Sequence, residues 1–386
     1  MKNTLCYFCS LGTLDTGMPL STLKLIRHFS ASEKYDIHVI LPDDNEFADE
    51  LKKLPVKLYI LPFYRFRSPR RLKLFLRSIF NNIPAWIKLV YYLKRHRIQL
   101  VHFSDIIDMP FYPAAFFSGA QSIVHLRICI ENPALRLIYR WWTFIFSHRV
   151  ICISEACRQC MGGKHNRARV IYNAGPDPHL FTPRAKYPLH SKVNKRLKAV
   201  CTSANIRPDK GHHFFVKMAA FIEKISPGDA HFYMVGGNVQ GHEAYYFQLQ
   251  NLIRELHIEH AVTFLGKVLY NEIPAIISHM DILVFLPKWQ EALGGVILEA
   301  MAMAKPVVAF DSGGIRECFT NGVSGFLVPH LDVETAAEKV MLLLRDEELR
   351  ARMGAAARTE VLARFSYEKH FSAVEALYRE CLDLER

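Results

Sequence analysis

Short runs of β-forming residues alternate with helical stretches along this chain, and the alternation is laid down twice. In the first half the candidate strands are Thr4–Leu11, Tyr35–Leu41, Val56–Leu61, Gln99–Phe103, Ser122–Leu126, Arg149–Ile153 and Arg169–Tyr172. Helical periodicity fills most of the gaps, as in Pro19–Phe29 and Ala134–Phe146. Gly175–Lys195 then breaks the pattern with four prolines and little periodicity, and reads as a linker. A second series follows, with candidate strands Lys198–Ser203, His231–Val235, Ala261–Leu265, Ile282–Leu286 and Pro306–Phe310, and an almost wholly helical tail from Asp332 to Leu384. Strands joined through helices pair in parallel, and such sheets are covered on both faces. The expectation is an α/β protein of two doubly wound domains with a cleft between them. The first spans 1–175 and the second 196–366, with the last helix, 367–386, returning to the first.

At 386 residues the chain is too long for one ordinary core. Half of it is hydrophobic and 22% is charged, the composition of a globular protein. A spanning helix needs roughly 20 uninterrupted apolar residues. The nearest candidate, Trp141–Ile153, is short and broken by Ser147, His148 and Arg149. The amino terminus has no basic region followed by a long apolar stretch, so no secretory signal is read. Nine scattered cysteines, with Cys157 and Cys160 forming one CxxC and no second pair following at zinc spacing, suit a reducing cytosol better than a disulfide or zinc framework. The net charge of +12 admits nucleic acid, an anionic membrane or phosphate-bearing small molecules as partners.

The densest chemistry lies in Glu291–Glu299, EALGGVILE, after the candidate strand Ile282–Leu286. Gly294 and Gly295 allow close backbone approach, and a helix is expected from about Gly295 to Ala304. A helix amino terminus offers N–H groups and a partial positive charge suited to a diphosphate. Glu291 falls on the loop before that helix. Glu299 sits about a turn inside and leans back toward its start. Two carboxylates beside a phosphate make sense as acceptors from sugar and ribose hydroxyls; otherwise they are ordinary early-helix acids favoured by the dipole. Lys210 follows the strand Lys198–Ser203 and is expected to open a helix there, where a cation can pair with phosphate.

EALGGVILEAMAMAKPVVAF resembles the signature of retaining GT-B glycosyltransferases of sequence family four, with two glutamates separated by seven residues and followed by Ala-Met-Ala and Pro-Val-Val-Ala. Further fragments fall in the family's order: Val170–Asp177, Val235-Gly236-Gly237, Phe264-Leu265-Gly266, Gly313–Glu317 and Asn321–Val328. The resemblance implies two Rossmann-like domains facing a central cleft, the first for acceptor and the second for donor. It implies Glu291 on hydroxyls of the donor sugar, Glu299 on the ribose, and Leu293, Gly294 and Gly295 lining sugar and phosphate. Gly236 would belong to the donor site, and Lys210 would pair with the diphosphate. The family's usual arginine five residues before that lysine is Asn205 here, and Arg207 either takes over its charge or faces solvent. The loop Gly12–Gly17, GTLDTG, is similar to the family's glycine-rich loop but lacks its adjacent glycine pair, since Met18 follows Gly17. His125 lies near the end of its strand, where the family often has a histidine near the reacting centre; His102 is its competitor.

The resemblance also implies a UDP- or GDP-sugar donor, transfer with retention and no metal requirement, with Lys210 and helix N–H groups stabilising the departing phosphate. The rival readings are a non-catalytic GT-B scaffold or glycan-binding subunit, which Asn205 favours, and an epimerase of the same fold. Between Arg65 and Arg97 lie ten Lys or Arg residues and no Asp or Glu, interleaved with large apolar residues. With Phe63 and Tyr64 before them, residues 63–97 suit an anionic headgroup layer. No nucleic-acid motif accompanies them. The expected acceptor is a lipid-linked glycan or one of lipopolysaccharide or capsule type, at the cytoplasmic face of the membrane.

Overall fold

The computed structural model describes residues 2–12, 17–64, 72–163, 165–194 and 197–383, without the side chains of 72–79. Thr13–Thr16 of the glycine loop and Arg65–Arg71 of the basic segment therefore lie outside the described residues. The chain forms two compact units, Met1–Ala174 with Tyr367–Arg386, and Gly175–Ser366.

In the first unit β1 (Asn3–Phe8), α1 (Gly17–Ser30), β2 (Tyr35–Leu41), α2 (Glu46–Leu51), β3 (Lys57–Ile60) and α3 (Leu72–Arg95) come first. Then follow β4 (Leu100–Phe103), α4 (Tyr112–Ser118), β5 (Gln121–Leu126), α5 (Pro133–Phe146), β6 (Arg149–Cys152), α6 (Glu155–Cys160) and β7 (Ala168–Val170). Among the described residues these strands form one sheet in the order β3-β2-β1-β4-β5-β6-β7, parallel throughout. The period of two along β1 divides the core. Leu5 and Tyr7 pack with α1 and α2, whereas Cys6 and Phe8 pack with α3 and α4.

The second unit runs β8 (Lys198–Ser203), α7 (His212–Ile225), β9 (Ala230–Val235), α8 (Glu243–Glu255), β10 (Val262–Gly266), α9 (Ile273–Ser278) and β11 (Ile282–Phe285). It continues with α10 (Gly295–Ala302), β12 (Val307–Phe310), β13 (Gly325–Val328), α11 (Val333–Arg345) and α12 (Glu347–Arg364). Its described strands order as β10-β9-β8-β11-β12-β13, again parallel. The last helix, α13 (Tyr367–Asp383), belongs to the first unit, where Val374, Leu377 and Tyr378 are buried with Leu5 and Tyr7.

Most expected strands form with ends moved by one or a few residues; β1 stops at Phe8 instead of Leu11. The strand Gly325–Val328 was not expected, because four residues after a turn carry too short a pattern. The proline-rich stretch after Gly175 is held by the second unit rather than hanging free. Gly175 N–H donates to Phe365 O at 2.8 Å, Phe181 is fully buried, and Arg358 Nη1 donates to Phe181 O at 3.0 Å.

Candidate functional site

In each sheet the strand order reverses beside the first strand, between β1 and β4 and between β8 and β11. Ligands of such sheets bind beyond the carboxyl ends of the strands at that switch point. In the second unit the two loops leaving β8 and β11 carry Lys210 and Glu291. Lys210 Nζ donates to Glu291 Oε1 at 2.6 Å, with the side chains 25% and 17% exposed.

The backbone around this pair is tightly set. Lys210 closes a short 3-10 turn, Pro208–Lys210, and α7 begins only at His212; the expected helix start at Lys210 is thus displaced by Gly211. Gly211 has φ +70°, and a Cβ there would stand 1.8 Å from Leu286 O. Asp209 O accepts from Lys288 N–H at 2.9 Å, tying the turn to the loop after β11. Glu291 bridges to Gly313, whose φ is +59°, and Gly314 N–H donates to Glu291 O at 2.7 Å.

Gly294 is the N-cap of α10, with no side-chain cap, and no acidic residue occupies the first turn. The helix therefore brings no anion of its own to its positive end. Glu299 sits in α10, half-buried, and Leu293 is half-buried before it. Gly236, at φ +147°, lets the end of β9 pass Ala204 O, which a Cβ would meet at 1.9 Å. Arg207 is held by its neighbour: Nε and Nη2 each donate to the Asp209 carboxylate at 2.9 Å. Asn205 is half-buried in the preceding loop. Among the described residues no group of three or more His, Cys, Asp or Glu is placed to hold a metal ion.

The first unit has its own buried polar cluster. His125, expected near the reaction, and its competitor His102 lie together, His102 Nε2 3.2 Å from His125 Nδ1. Arg127 Nη2 lies 3.1 Å from the same Nδ1, while its Nε donates to Ser104 O at 3.0 Å and its Nη1 to Asn173 Oδ1 at 3.2 Å. A guanidinium only donates, so Nδ1 of His125 is an acceptor and the ring proton sits on Nε2. That Nε2 is buried and has no hydrogen-bond partner among the described residues. His102 then gives its own Nε2 proton to the pair, and its Nδ1 accepts from Tyr378 Oη at 2.6 Å. Burial, then the Arg127 charge, holds His102 down to about 3 and His125 well below the usual histidine range. Burial pushes the carboxyls of Asp105 and Asp108 up to about 6 and about 7.

Arg127, Tyr378 and Asp209 escaped the sequence reading. Arg127 has no motif around it, and Tyr378 reaches the cluster only because α13 returns to the first sheet. Gly17 opens α1, exposed, with no atom of the described residues within 4 Å of where a Cβ would go. The cysteines form no disulfide, and Cys129 Sγ lies 3.9 Å from Cys157 Sγ.

The profile of Glycosyltransferase Family 4 matches residues 16–175, and that of Glycosyl transferases group 1 matches residues 184–360. N-acetyl-alpha-D-glucosaminyl L-malate synthase of Bacillus anthracis is 33% identical over 163 residues, 42% of this chain and 41% of that protein. D-inositol 3-phosphate glycosyltransferase of Corynebacterium aurimucosum is 29% identical over 56% of this chain and 52% of its own length. GDP-mannose-dependent alpha-(1-6)-phosphatidylinositol monomannoside mannosyltransferase of Mycobacterium tuberculosis is 31% identical over 50% of this chain and 51% of its own. The chain thus spans about half the length of these curated relatives. HepE of Anabaena, solved with UDP, superposes with a TM-score of 0.79 over 98% of this chain and 100% of that one, at 22% identity, a likeness of fold. With both profiles in register and the two parallel sheets in place, the chain belongs to the family-four glycosyltransferases and has the GT-B fold.

Proposed function

We propose that the chain is a retaining glycosyltransferase that moves a sugar from a nucleotide-sugar donor to a membrane-associated acceptor, a lipid-linked glycan or one of lipopolysaccharide or capsule type. The observation that carries the reading is the Lys210–Glu291 pair at the switch point of the second sheet, beside the uncapped start of α10. A cation and a helix amino terminus together suit a diphosphate, and the two glutamates of the signature supply acceptors for hydroxyls. Glu291 would hold the sugar and Glu299 the ribose, with Leu293, Gly294 and Gly295 alongside. Lys210 and the α10 amino terminus would stabilise the departing phosphate without a metal. His125, with its Nε2 proton directed by Arg127, is the donor that the first unit offers the reacting groups.

A thermal-shift panel of UDP, GDP and their sugars on wild type and Glu299→Ala tests the donor. HepE was solved with UDP and the mycobacterial relative is named for GDP-mannose, so both bases belong in it. A ligand at 100 times its Kd adds about 2.7 kcal/mol. One nucleotide family should stabilise wild type and not the mutant, and acceptor-dependent sugar transfer should follow. No donor binding and no transfer would return the chain to the scaffold reading. Donor turnover without acceptor would make it an epimerase. Loss of transfer in EDTA, restored by a divalent ion, would overturn the metal-free mechanism.

The membrane part rests on residues 63–97, placed at the cytoplasmic leaflet. In α3, Ala85, Leu89 and Leu93 are buried, while Phe80, Ile83, Ile87 and Tyr91 form an outward stripe at helical spacing. No helix among the described residues is long and apolar enough to cross a membrane. Co-sedimentation with anionic vesicles at low salt tests this part, and absence of binding would sink it.

A further inference from the structure

A helix that is apolar on every side is normally a buried helix. α5, PALRLIYRWWTFIF, is apolar apart from Arg136, Arg140 and Thr143, yet Thr143 alone of its residues is buried. Trp141 is 70% exposed and Leu137 62%, and with Ile138 and Ile145 they make an outward apolar stripe at one-turn spacing. Its other side is docked. Trp142 Nε1 donates to Met109 O at 2.7 Å, and Trp86 Nε1 of α3 donates to the next carbonyl, Pro110 O, at 3.2 Å. The two indoles thus pin α3 and α5 to one short turn, and α4 lies between them. Phe117 of α4 stacks edge-on to Trp86 at 5.6 Å, and Phe116 meets Phe146 of α5 at 5.8 Å; both are about half exposed. The outward stripes of three successive helices on one face of the sheet are therefore joined.

Charge says what covers this surface. α3 carries five Lys or Arg and α5 two, and α3, α4 and α5 contain no Asp or Glu. A second copy of the chain would set cation against cation. An anionic bilayer complements both parts, taking aromatic and aliphatic side chains into its interface and the cations among its headgroups.

We propose that α4 and α5 join α3 in a single footprint for an anionic phospholipid bilayer, with Trp141 at the boundary of headgroups and acyl chains. The inference rests on the membrane reading above and extends it from residues 63–97 to two further helices that sequence charge did not single out.

The test is partitioning of the full chain onto phosphatidylglycerol–phosphatidylcholine vesicles, compared with phosphatidylcholine alone. Two double variants are used, Leu137→Glu with Trp141→Glu on α5 and Ile83→Glu with Ile87→Glu on α3. All four positions are exposed, and unchanged melting temperatures confirm folding. Each double variant should weaken partitioning about tenfold or more. Trp141→Phe should remove most of the blue shift in tryptophan emission that vesicles induce. Wild-type binding by the α5 variant, with binding lost in the α3 variant, overturns the shared footprint and leaves the reading of residues 63–97 standing. An α5 variant that turns a dimer into a monomer while still binding vesicles assigns the surface to a second copy and overturns the proposal. If wild type binds no vesicles, both membrane readings fall, and transfer to a soluble acceptor analogue then shows whether the transferase reading survives.

Discussion

Lys210 and Glu291 stand 81 residues apart in the chain and 2.6 Å apart in space, joined Nζ to Oε1. Adjacency of β8 and β11 in the sheet makes this possible, since each residue sits on the loop leaving one of those strands. Both side chains are mostly shielded, so the pair is more than a surface contact. Replacing Lys210 by Met takes away the cation that faces a departing phosphate. We expect kcat/KM for transfer to fall about 10²- to 10³-fold, with Glu291→Gln losing activity without losing nucleotide binding. Steady-state kinetics and nucleotide titrations on both variants check this; near-normal transfer by Lys210→Met would remove Lys210 from the mechanism.

Gly211→Ala should be among the more damaging single methyl additions in the second unit. The added Cβ would lie 1.8 Å from Leu286 O, a backbone atom just past β11, and φ is +70°. A cost of about 2–4 kcal/mol is expected, with a raised donor KM because Lys210 adjoins the displaced turn. Gly17→Ala is the control, since no atom of the described residues lies within 4 Å of its Cβ position. Its stability should stay within about 0.5 kcal/mol of wild type. Melting curves for the two variants suffice; equal melting temperatures would refute the contrast.

The sheets were legible because buried parallel strands are runs of Val, Ile, Leu and Phe bounded by turns, as in Ile282–Phe285. The motif around Glu291 and Glu299 was legible because glycines and acids cluster in sequence. What stayed hidden depends on groups brought together by tertiary structure. Two pairings are local exceptions that no motif marked: Asp209 holds the Arg207 guanidinium from two residues on, and Arg127 meets His125 two residues before it. Tyr378 is 276 residues from His102, yet they share a hydrogen bond through the return of α13. The outward stripe of α5 was equally silent, because periodicity identifies an apolar face without saying what covers it.

The hydrogen bond from Arg127 makes a claim about His125 that pH can test. With burial and a neighbouring cation both opposing protonation, His125 stays neutral well below the usual histidine range. The pH profile of kcat/KM should therefore show no step from this residue between about pH 6 and 7. Arg127→Met removes the donor that fixes the proton on Nε2 and should reduce kcat more than it raises acceptor KM. Nitrogen NMR on histidine-labelled protein reads the tautomer directly. A protonated Nδ1 in wild type would contradict the assignment.

Asp108 gives a second pH test, this time on stability. It accepts from Ser10 N–H at 3.2 Å and from Asp105 N–H at 3.1 Å, and burial raises its carboxyl from 3.8 to about 7. Between those values the folded state holds a proton that the unfolded state has released. Folding stability from this group therefore falls as pH rises from about 4 to 7. His102 acts in the opposite sense. Held at about 3 against 6.5, it leaves the unfolded state with more protons, so its contribution to stability grows as pH rises toward 6.5. Asp108→Asn removes the first effect and keeps the second. The variant loses one acceptor, a cost that does not vary with pH. Its stability relative to wild type should nevertheless climb by as much as about 1.4 kcal/mol per pH unit through that window and level off above it. Denaturant unfolding at pH 4.5, 5.5, 6.5 and 7.5 measures the climb; a difference that does not change with pH would mean that Asp108 is ionised in the folded protein.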